Sequence, residues 1–146
     1  MKFYILNGPN LNLLGVREPQ KYGSTSYDEL CKSVKAFCDE AKIEVEFYQS
    51  NHEGALVDKI QEGYFKKIDG IVFNPGAYTH TSIALLDALL AVKIPCVEVH
   101  ITNPDEREDF RHVSYVRSAC IGTIRGHGIE GYTEGCQKLV DYLKKA

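Results

Sequence analysis

Short apolar runs alternate with segments of helical spacing along this chain, and that pattern narrows its fold more than any other property. The runs are rich in Ile, Val and Phe, which is typical of strands buried in a parallel sheet. The second run alternates Ile, Val and Phe with Glu and Tyr, which predicts one partly solvated face. We predict five strands at residues 3–6, 43–48, 70–73, 94–99 and 120–124.

Four segments between and after these runs have apolar residues at helical spacing. They cover residues 27–41, 56–64, 83–92 and 136–143. Ser26 and Glu29 have the spacing of a capping box at the start of the first of these helices. Thr81 is placed to cap the helix over 83–92.

Strands that alternate with helices pair in parallel, because each crossover helix must cover a face of the sheet. The sequence therefore predicts an α/β fold of flavodoxin-like type, a three-layer sandwich with a five-stranded parallel sheet of order 2-1-3-4-5. The length of 146 residues suits a single flavodoxin-like catalytic domain over residues 1–146. In such a sheet, ligands bind beyond the carboxyl ends of the strands.

The charge balance argues against nucleic acid and anionic membrane as partners. The chain has 17 Lys and Arg against 20 Asp and Glu, a net charge of −3. Its longest apolar run, at 83–92, is too short to cross a bilayer. The five cysteines are scattered without a Cys-x-x-Cys motif, and the N-terminus leaves no room for a signal peptide. We expect reduced, buried thiols and a cytoplasmic protein.

Several cofactor and nucleophile motifs can be set aside. The glycines of segment 126–131 fit the letters of G-x-G-x-x-G, but no strand and acidic residue follow them at the required distance. We interpret them as shaping a turn and a close helix approach. No P-loop occurs, the third strand ends in Asn74 rather than Asp, and the histidines lack metal-ligand spacing. We therefore expect no cofactor and no metal, and the apolar setting of the cysteines disfavours a Cys nucleophile.

Polar residues recur where the predicted strands end. The sequence Asn-Gly-Pro-Asn at 7–10 follows the first strand, Asn74 opens the loop after the third, and Glu98, His100 and Thr102 lie at the end of the fourth. Taken singly, the first two segments are also ordinary turn chemistry. Their recurrence at one edge of a parallel sheet favours a site there.

The connection over residues 11–23 is long for an α/β unit and is bounded by Gly and Pro. It could form a lid over the site, or it could be an extended surface loop. Arg17 and Tyr22 lie close enough to meet if the connection folds back. A tyrosine phenol has a pKa of about 10, but a nearby guanidinium favours the phenolate, which would make Tyr22 a usable general base.

His100 lies two residues after Glu98, so both side chains project from the same face of a strand. A carboxylate there can fix the tautomer of His100 and make it a proton donor. A structural histidine is the alternative. Arg111 could pair with a substrate carboxylate, although the pattern alone favours a surface ion pair with Asp109 or Glu108.

Four motifs in order along the chain resemble those of the type II 3-dehydroquinate dehydratases. The resemblance covers nearly the whole chain. The motifs are residues 7–15 with Arg17-Glu18-Pro19 and Tyr22-Gly23, residues 74–82, Glu98-Val99-His100-Ile101, and Arg107-Glu108 with Phe110-Arg111 and Ser114-Tyr115.

This resemblance implies dehydration of 3-dehydroquinate to 3-dehydroshikimate in the shikimate pathway, which leads to chorismate and the aromatic amino acids. It implies a hydro-lyase that uses neither a metal nor a Schiff-base lysine. It also implies a flavodoxin-like subunit assembled as a homododecamer, a tetramer of trimers.

The resemblance also implies roles for individual residues. Tyr22 would remove the C2 proton as a phenolate held by Arg17, and Asn10 would hold a water that stabilises the enolate. His100, oriented by Glu98, would protonate the departing C1 hydroxyl. Substrate binding would involve Asn74, His80, Ile101, Thr102 and Arg111, together with Asp87, which would reach a neighbouring subunit's site.

The sequence departs from the family pattern at three places. Thr102 stands where Ser is usual but keeps a hydroxyl and a backbone N–H, Leu86 stands where a basic residue is common, and residues 104–106 differ in sequence. A non-enzymatic module that binds a small carboxylate remains an alternative. A second alternative is a paralogue that has this fold and acts on another polyhydroxy acid.

Overall fold

A computed structural model describes residues 1–22 and 24–146, with side chains throughout except at residues 21 and 22. Its strands form one sheet in the order β2-β1-β3-β4-β5, and all neighbouring strands are parallel. This confirms the predicted flavodoxin-like α/β fold and strand order. The strands are β1 (Lys2–Asn7), β2 (Glu44–Gln49), β3 (Gly70–Asn74), β4 (Cys96–His100) and β5 (Gly122–Arg125).

Four of the α-helices, α2 to α5, flank this sheet. One apolar cluster joins α2 and α5 to one face of the sheet, and a second joins α3 and α4 to the other face. The helices are α1 (Pro19–Tyr22), α2 (Tyr27–Glu40), α3 (Glu53–Phe65), α4 (Ile83–Val92) and α5 (Glu130–Lys145).

Strand β1 shows why the central runs are apolar without interruption. Phe3 and Ile5 pack toward α2 and α5, whereas Tyr4 and Leu6 pack toward α3 and α4. All four side chains are fully buried. Burying each such side chain stabilises the fold by about 1.5–3 kcal/mol. A strand that is covered on both faces therefore has apolar residues at successive positions rather than at alternate ones. Strand β2, at the sheet edge, is only partly buried, as its alternating sequence predicts.

Two predicted helix starts have different outcomes. Ser26 caps α2, because its Oγ accepts a hydrogen bond from the backbone N–H of Glu29 at 3.1 Å. The prediction of Thr81 as the cap of α4 is wrong. Residues Gly76–His80 form a 3-10 helix, and the N–H of Thr81 donates to the Tyr78 carbonyl at its end. The Oγ of Ser82 therefore caps α4 and accepts from the N–H of Leu85 at 3.0 Å.

The glycines of segment 126–131 do what the sequence predicts. Gly126 and Gly128 have positive φ values of 80° and 62° in the turn after β5. A Cβ at Gly131 would lie 3.3 Å from side-chain carbons of Ile124 and Val99, so glycine allows α5 to approach the sheet closely. This segment shapes a turn and a helix contact.

The five cysteines are free thiols. Cys38, Cys96 and Cys136 are buried as expected, but Cys31 and Cys120 are only partly buried. Within the described residues, no helix combines the length and apolar character needed to cross a membrane.

Candidate active site

A pocket opens at the carboxyl edge of the sheet, between the loops that follow β1, β3 and β4. The parallel register brings these strand ends together, because Asn7 pairs with Asn74 at the last position of both strands. Apolar side chains of Leu11, Leu14 and Pro104 complete the wall. The sequence-predicted site residues in this wall are Asn10, Arg17, Asn74, His80, His100, Ile101, Thr102 and Arg111.

Glu98 and His100 form the pair that their spacing predicts. Nε2 of His100 lies 2.6 Å from Oε2 of Glu98, and both side chains are buried. Since a carboxylate can only accept here, the imidazole donates from Nε2. Nδ1 is then the ring nitrogen left for a ligand in the pocket. Protonation at Nδ1 would give an imidazolium whose charge the Glu98 carboxylate balances.

The carboxylate of Glu98 is fully buried and surrounded by donors. Its Oε2 also accepts from Oγ1 of Thr79 at 2.7 Å and from Oγ of Ser114 at 2.8 Å. Arg117 lies 3.6 Å from the other oxygen. Burial alone would raise the pKa of Glu98, but the hydrogen bond and charge of His100 and the two hydroxyl donors lower it to about 2. Glu98 is therefore ionised at neutral pH.

His80 differs from Glu98 in that its environment favours the uncharged form of the side chain. Burial lowers the pKa of this imidazole, an effect only partly opposed by its hydrogen bond to the Val113 carbonyl, and the nearby charges of His100 and Arg111 lower it further. The ring is neutral at neutral pH. Its Nδ1 donates to the Val113 carbonyl at 2.7 Å, which leaves Nε2 as an acceptor. A neutral imidazole with a free acceptor suits a ligand hydroxyl.

The loops after β1 and β3 are locked together by close backbone contact. The N–H of Gly8 donates to the carbonyl of Asn74 at 2.8 Å. A Cβ at Gly8 would lie 2.2 Å from the carbonyl oxygen of Pro75, so only glycine fits there. Gly76, with φ at +61°, is also close to the loop after β1, since a Cβ there would lie 3.1 Å from the carbonyl oxygen of Pro9. The Asn-Gly-Pro and Asn-Pro-Gly sequences are turn-forming, and they also hold two walls of the pocket in one position.

Asn10 is held by the end of β2. It has a left-handed backbone conformation with φ at 71°, a conformation that Asn tolerates better than most residues. Its N–H donates to Oδ1 of Asn51 at 3.0 Å. Nε2 of Gln49 donates to the Gly8 carbonyl at 3.1 Å and supports the same loop.

The long connection after β1 begins as part of the core. Leu11 and Leu14 are buried, and the first turn is a 3-10 helix over Leu11–Leu13. Arg17 follows in the pocket wall, with its guanidinium 3.7 Å from the carboxylate of Glu18. The backbone of Tyr22 ends α1, but its side chain lies outside the described residues, so the predicted Arg17–Tyr22 contact stays a prediction.

Arg111 combines the two roles between which its sequence could not decide. Its Nε donates to the carboxylate of Glu108 at 2.6 Å, which is the surface ion pair that the pattern favours. The same residue also lines the pocket, as the family resemblance implies. Arg107 lines the pocket as well. Sequence reasoning placed Arg107 in a family motif without a role at the site, because nothing in a charged segment marks which arginine turns inward.

Asp87 is not part of this pocket. It lies on the exposed face of α4, together with Ile83 and Leu90. The structure of one chain therefore does not bring it together with the other predicted site residues.

Tyr132, a buried residue that the sequence analysis did not single out, contacts the last residues of β1 and β3. The hydroxyl of Tyr132, near the start of α5, donates to Oδ1 of Asn7 at 2.6 Å. The Tyr132 hydroxyl oxygen in turn accepts a hydrogen bond from Nδ2 of Asn74 at 2.9 Å. A tyrosine on an apolar helix face, which needs a partner for its hydroxyl when buried, is the only signal the sequence offers.

Among the residues that the structure describes, no three His, Cys, Asp or Glu side chains are grouped to hold a metal ion. The pocket instead offers two imidazoles, two side-chain amides and guanidinium groups. The ionised carboxylate of Glu98 lies buried behind His100 and does not line the pocket. This arrangement suits acid–base chemistry on a small anionic ligand that carries hydroxyl groups.

The fold and the site together define an α/β enzyme with its acid–base groups at the carboxyl edge of a parallel sheet. The family model described as dehydroquinase class II matches residues 1–140. The chain belongs to this family.

Individual relatives agree with this assignment over nearly their whole length. The 3-dehydroquinate dehydratase of Carboxydothermus hydrogenoformans is 54% identical over 145 residues, with 99% of this chain and 94% of the relative covered. That of Caldicellulosiruptor bescii is 55% identical over 142 residues, with 97% and 98% covered. The crystal structure of the type II dehydroquinase from Butyrivibrio crossotus superposes with a TM-score of 0.95 at 52% identity, covering 96% of this chain and 97% of that one.

Proposed function

We propose that this chain catalyses the elimination of water from 3-dehydroquinate to give 3-dehydroshikimate, as a hydro-lyase of its family. The observation that carries the proposal is the buried Glu98–His100 pair, 2.6 Å apart, whose His100 lines a pocket together with Asn10, Arg17 and Asn74. This pair supplies an acid, and the remaining groups can bind an anionic substrate and stabilise developing negative charge.

The reaction begins with proton abstraction from C2 of the substrate. Tyr22 is the base that we propose, as a phenolate favoured by the positive charge of Arg17. The electrons of the broken C–H bond form an enolate, with negative charge on the C3 oxygen. Asn10, in the loop that Asn51 holds, binds a water that donates a hydrogen bond to this oxygen.

The second step breaks the bond between C1 and its hydroxyl oxygen. The enolate electrons return to form the C1–C2 double bond, and the hydroxyl leaves as water with a proton from Nδ1 of His100. Nε2 of His100 remains bound to Glu98 throughout, so the carboxylate orients the ring and stabilises its protonated form.

The same wall contains groups that suit the rest of the substrate. The amide of Asn74, the segment at Ile101 and the hydroxyl and N–H of Thr102 provide donors for the carboxylate. Arg111 adds a positive charge. The neutral His80, with its free Nε2, accepts a hydrogen bond from a ring hydroxyl.

We propose further that the active form is a homododecamer arranged as a tetramer of trimers. Ile83, Asp87 and Leu90 have the spacing of one helix face and are exposed on α4. An apolar face that contains a single carboxylate is unfavourable in water and suits contact with another copy of the chain. There, Asp87 would complete the neighbouring subunit's pocket. The five free thiols favour a cytoplasmic location.

The direct test is to add 3-dehydroquinate and follow the absorbance of the conjugated enone product. Replacing Tyr22 by Phe should lower kcat by about 100-fold or more while leaving substrate binding nearly unchanged, since a positioned general base contributes that much. Tyr64→Phe, at an exposed tyrosine on α3, is the matched control and should behave as the unaltered protein.

Three outcomes separate the alternatives. Full activity in Tyr22→Phe would rule out Tyr22 as the base. Substrate binding without enone formation in the unaltered protein would favour a binding module or a paralogue with another polyhydroxy acid substrate. Covalent trapping of the substrate by borohydride would show a Schiff base and contradict the proposed mechanism.

A further inference from the structure

Tyr132 lies directly beneath the pocket, between the ends of β1 and β3. Its side chain is fully buried, and Asn7 and Asn74 beside it are 0% and 4% exposed. Its hydroxyl contacts both amides, at 2.6 Å to Asn7 and 2.9 Å to Asn74. Only Asn74 of these three residues also lines the pocket.

A backbone group that can only donate fixes the direction of each hydrogen bond between Tyr132, Asn7 and Asn74. The backbone N–H of Gly76 can only donate, and it donates to Oδ1 of Asn74 at 3.0 Å. The other end of that amide, Nδ2, must then face the Tyr132 oxygen as a donor. Since the phenol oxygen accepts this bond, its own hydrogen goes to Oδ1 of Asn7.

The phenol keeps its proton in this position. Burial raises the pKa of Tyr132, and the hydrogen bond from Asn74 only partly opposes that effect. The hydroxyl is therefore both donor and acceptor at neutral pH. The second hydrogen of the Asn74 amide is left unused by this network, at the pocket wall.

We infer that Tyr132 is a positioning residue that fixes the amide of Asn74 as a hydrogen-bond donor toward the ligand. The inference rests on the proposed function for its consequence in turnover. Without the Tyr132 hydroxyl, Nδ2 of Asn74 loses its acceptor and Oδ1 of Asn7 loses its donor, both in a buried setting. The Asn74 amide is then free to rotate or to shift, and the substrate meets a less ordered donor.

The test is Tyr132→Phe, which keeps the ring and removes only the hydroxyl. We expect KM for 3-dehydroquinate to rise by about tenfold, with a smaller change in kcat, because a substrate-binding group is disordered while the acid is untouched. Tyr4→Phe is the matched control. Tyr4 is equally buried, and its hydroxyl donates to Glu62 at 2.5 Å on the opposite face of the sheet. The Tyr4→Phe variant should have lower thermal stability than the unaltered protein and the same KM.

A double-mutant cycle distinguishes positioning from general loosening of the core. If Tyr132 acts through Asn74, Tyr132→Phe should change KM by less than twofold in an Asn74→Ala background. A tenfold rise in that background, or an unchanged KM in the single variant, would overturn the inference.

The ordering of the amide can also be measured without turnover. In the unaltered protein, the side-chain NH2 resonances of Asn74 should be resolved and slow to exchange with solvent, and in Tyr132→Phe they should exchange faster. Fast exchange in the unaltered protein would contradict the inference even if the enzyme is active. Failure to dehydrate 3-dehydroquinate, with the amide protected as expected, would instead contradict the proposed function alone.

Discussion

Glu98 illustrates how one buried charge can be stabilised by groups from separate parts of the chain. Burial of a carboxylate without partners is strongly unfavourable. Here three groups donate to Oε2 of Glu98. They are the imidazole of His100, the hydroxyl of Thr79 in the 3-10 helix after β3, and the hydroxyl of Ser114 in the segment before β5. These bonds keep the carboxylate ionised, so the fold provides a fixed negative charge behind His100.

The lowered pKa of Glu98 makes a prediction about stability and pH. The pKa falls from 4.5 to about 2 on folding, so this group's contribution is present above pH 4.5 and is lost as the pH falls toward 2. We expect Glu98→Gln to be less stable at pH 7 by roughly 3 kcal/mol, and this difference to shrink between pH 4.5 and pH 2. Urea unfolding at several pH values measures it.

Glu44→Gln, on the exposed edge strand, is the control for that series and should unfold like the unaltered protein. A pH-independent difference between Glu98→Gln and the unaltered protein would contradict the assigned role of the charge. The variant should also lose most of its turnover, because His100 would lack the carboxylate that stabilises its protonated form.

Single residues differ in how far the sequence could predict them. The pairing of Glu98 with His100 follows from strand geometry, which fixes the direction of side chains two positions apart. The donors Thr79 and Ser114 could not be predicted, because they reach Glu98 only through the packing of two irregular segments. Tyr132 is hidden for a related reason, since a tyrosine on an apolar helix face looks the same whether its hydroxyl reaches water or a buried amide.

The elements around the site were easier to predict than their ends. Strands β1 to β5 and helices α2 to α5 follow from hydrophobic spacing, which persists over many residues. The cap of α4 depended on one position, because Thr81 and Ser82 are both good capping residues. The short 3-10 helix before them decided between the two, and no sequence period marks such a helix.

The locked loops after β1 and β3 give a prediction at Gly8. A methyl group there would collide with the Pro75 carbonyl, so the two loops must separate. We expect Gly8→Ala to lower stability by about 1–3 kcal/mol and to reduce kcat/KM, because Asn10 and Asn74 would move apart. Thermal unfolding and the enone assay measure the two effects.

Gly54→Ala provides the comparison for this change. Gly54 lies in the first turn of α3, and a Cβ there would meet nothing within 4 Å. Alanine at this position should stabilise the protein by up to about 1 kcal/mol, because glycine has more conformational freedom to lose on folding. Equal stability of the two variants would show that the loops can adapt, and that their contact does not hold the site.

At the scale of the whole molecule, helix α4 has an exposed apolar face that is without a partner in a single chain. Ile83 and Leu90 on α4 are 55% and 51% exposed, although the helix they belong to is almost entirely apolar. The proposed assembly accounts for this exposure and for the position of Asp87, away from its own pocket. Each subunit would then depend on a neighbour for one charge in its site.

Two variants on this face should separate assembly from chemistry. Leu90→Glu should break the dodecamer into smaller species, which native mass spectrometry would detect, because it places a charge in an apolar contact. Asp87→Asn should keep the assembly and lower kcat/KM. A monomeric unaltered protein with full activity would refute the proposed assembly.

The locked loops also determine how a ligand reaches the pocket. Two of its walls are tied to each other by backbone contacts and to the sheet by the last residues of β1 and β3, so they do not open separately. Asn74 and His100 lie deep, at 4% and 6% exposure, whereas the side chains of Arg17 and Arg111 are 35% and 20% exposed. An arriving anion therefore encounters the positive charges of Arg17 and Arg111 before it contacts the buried Asn74 and His100.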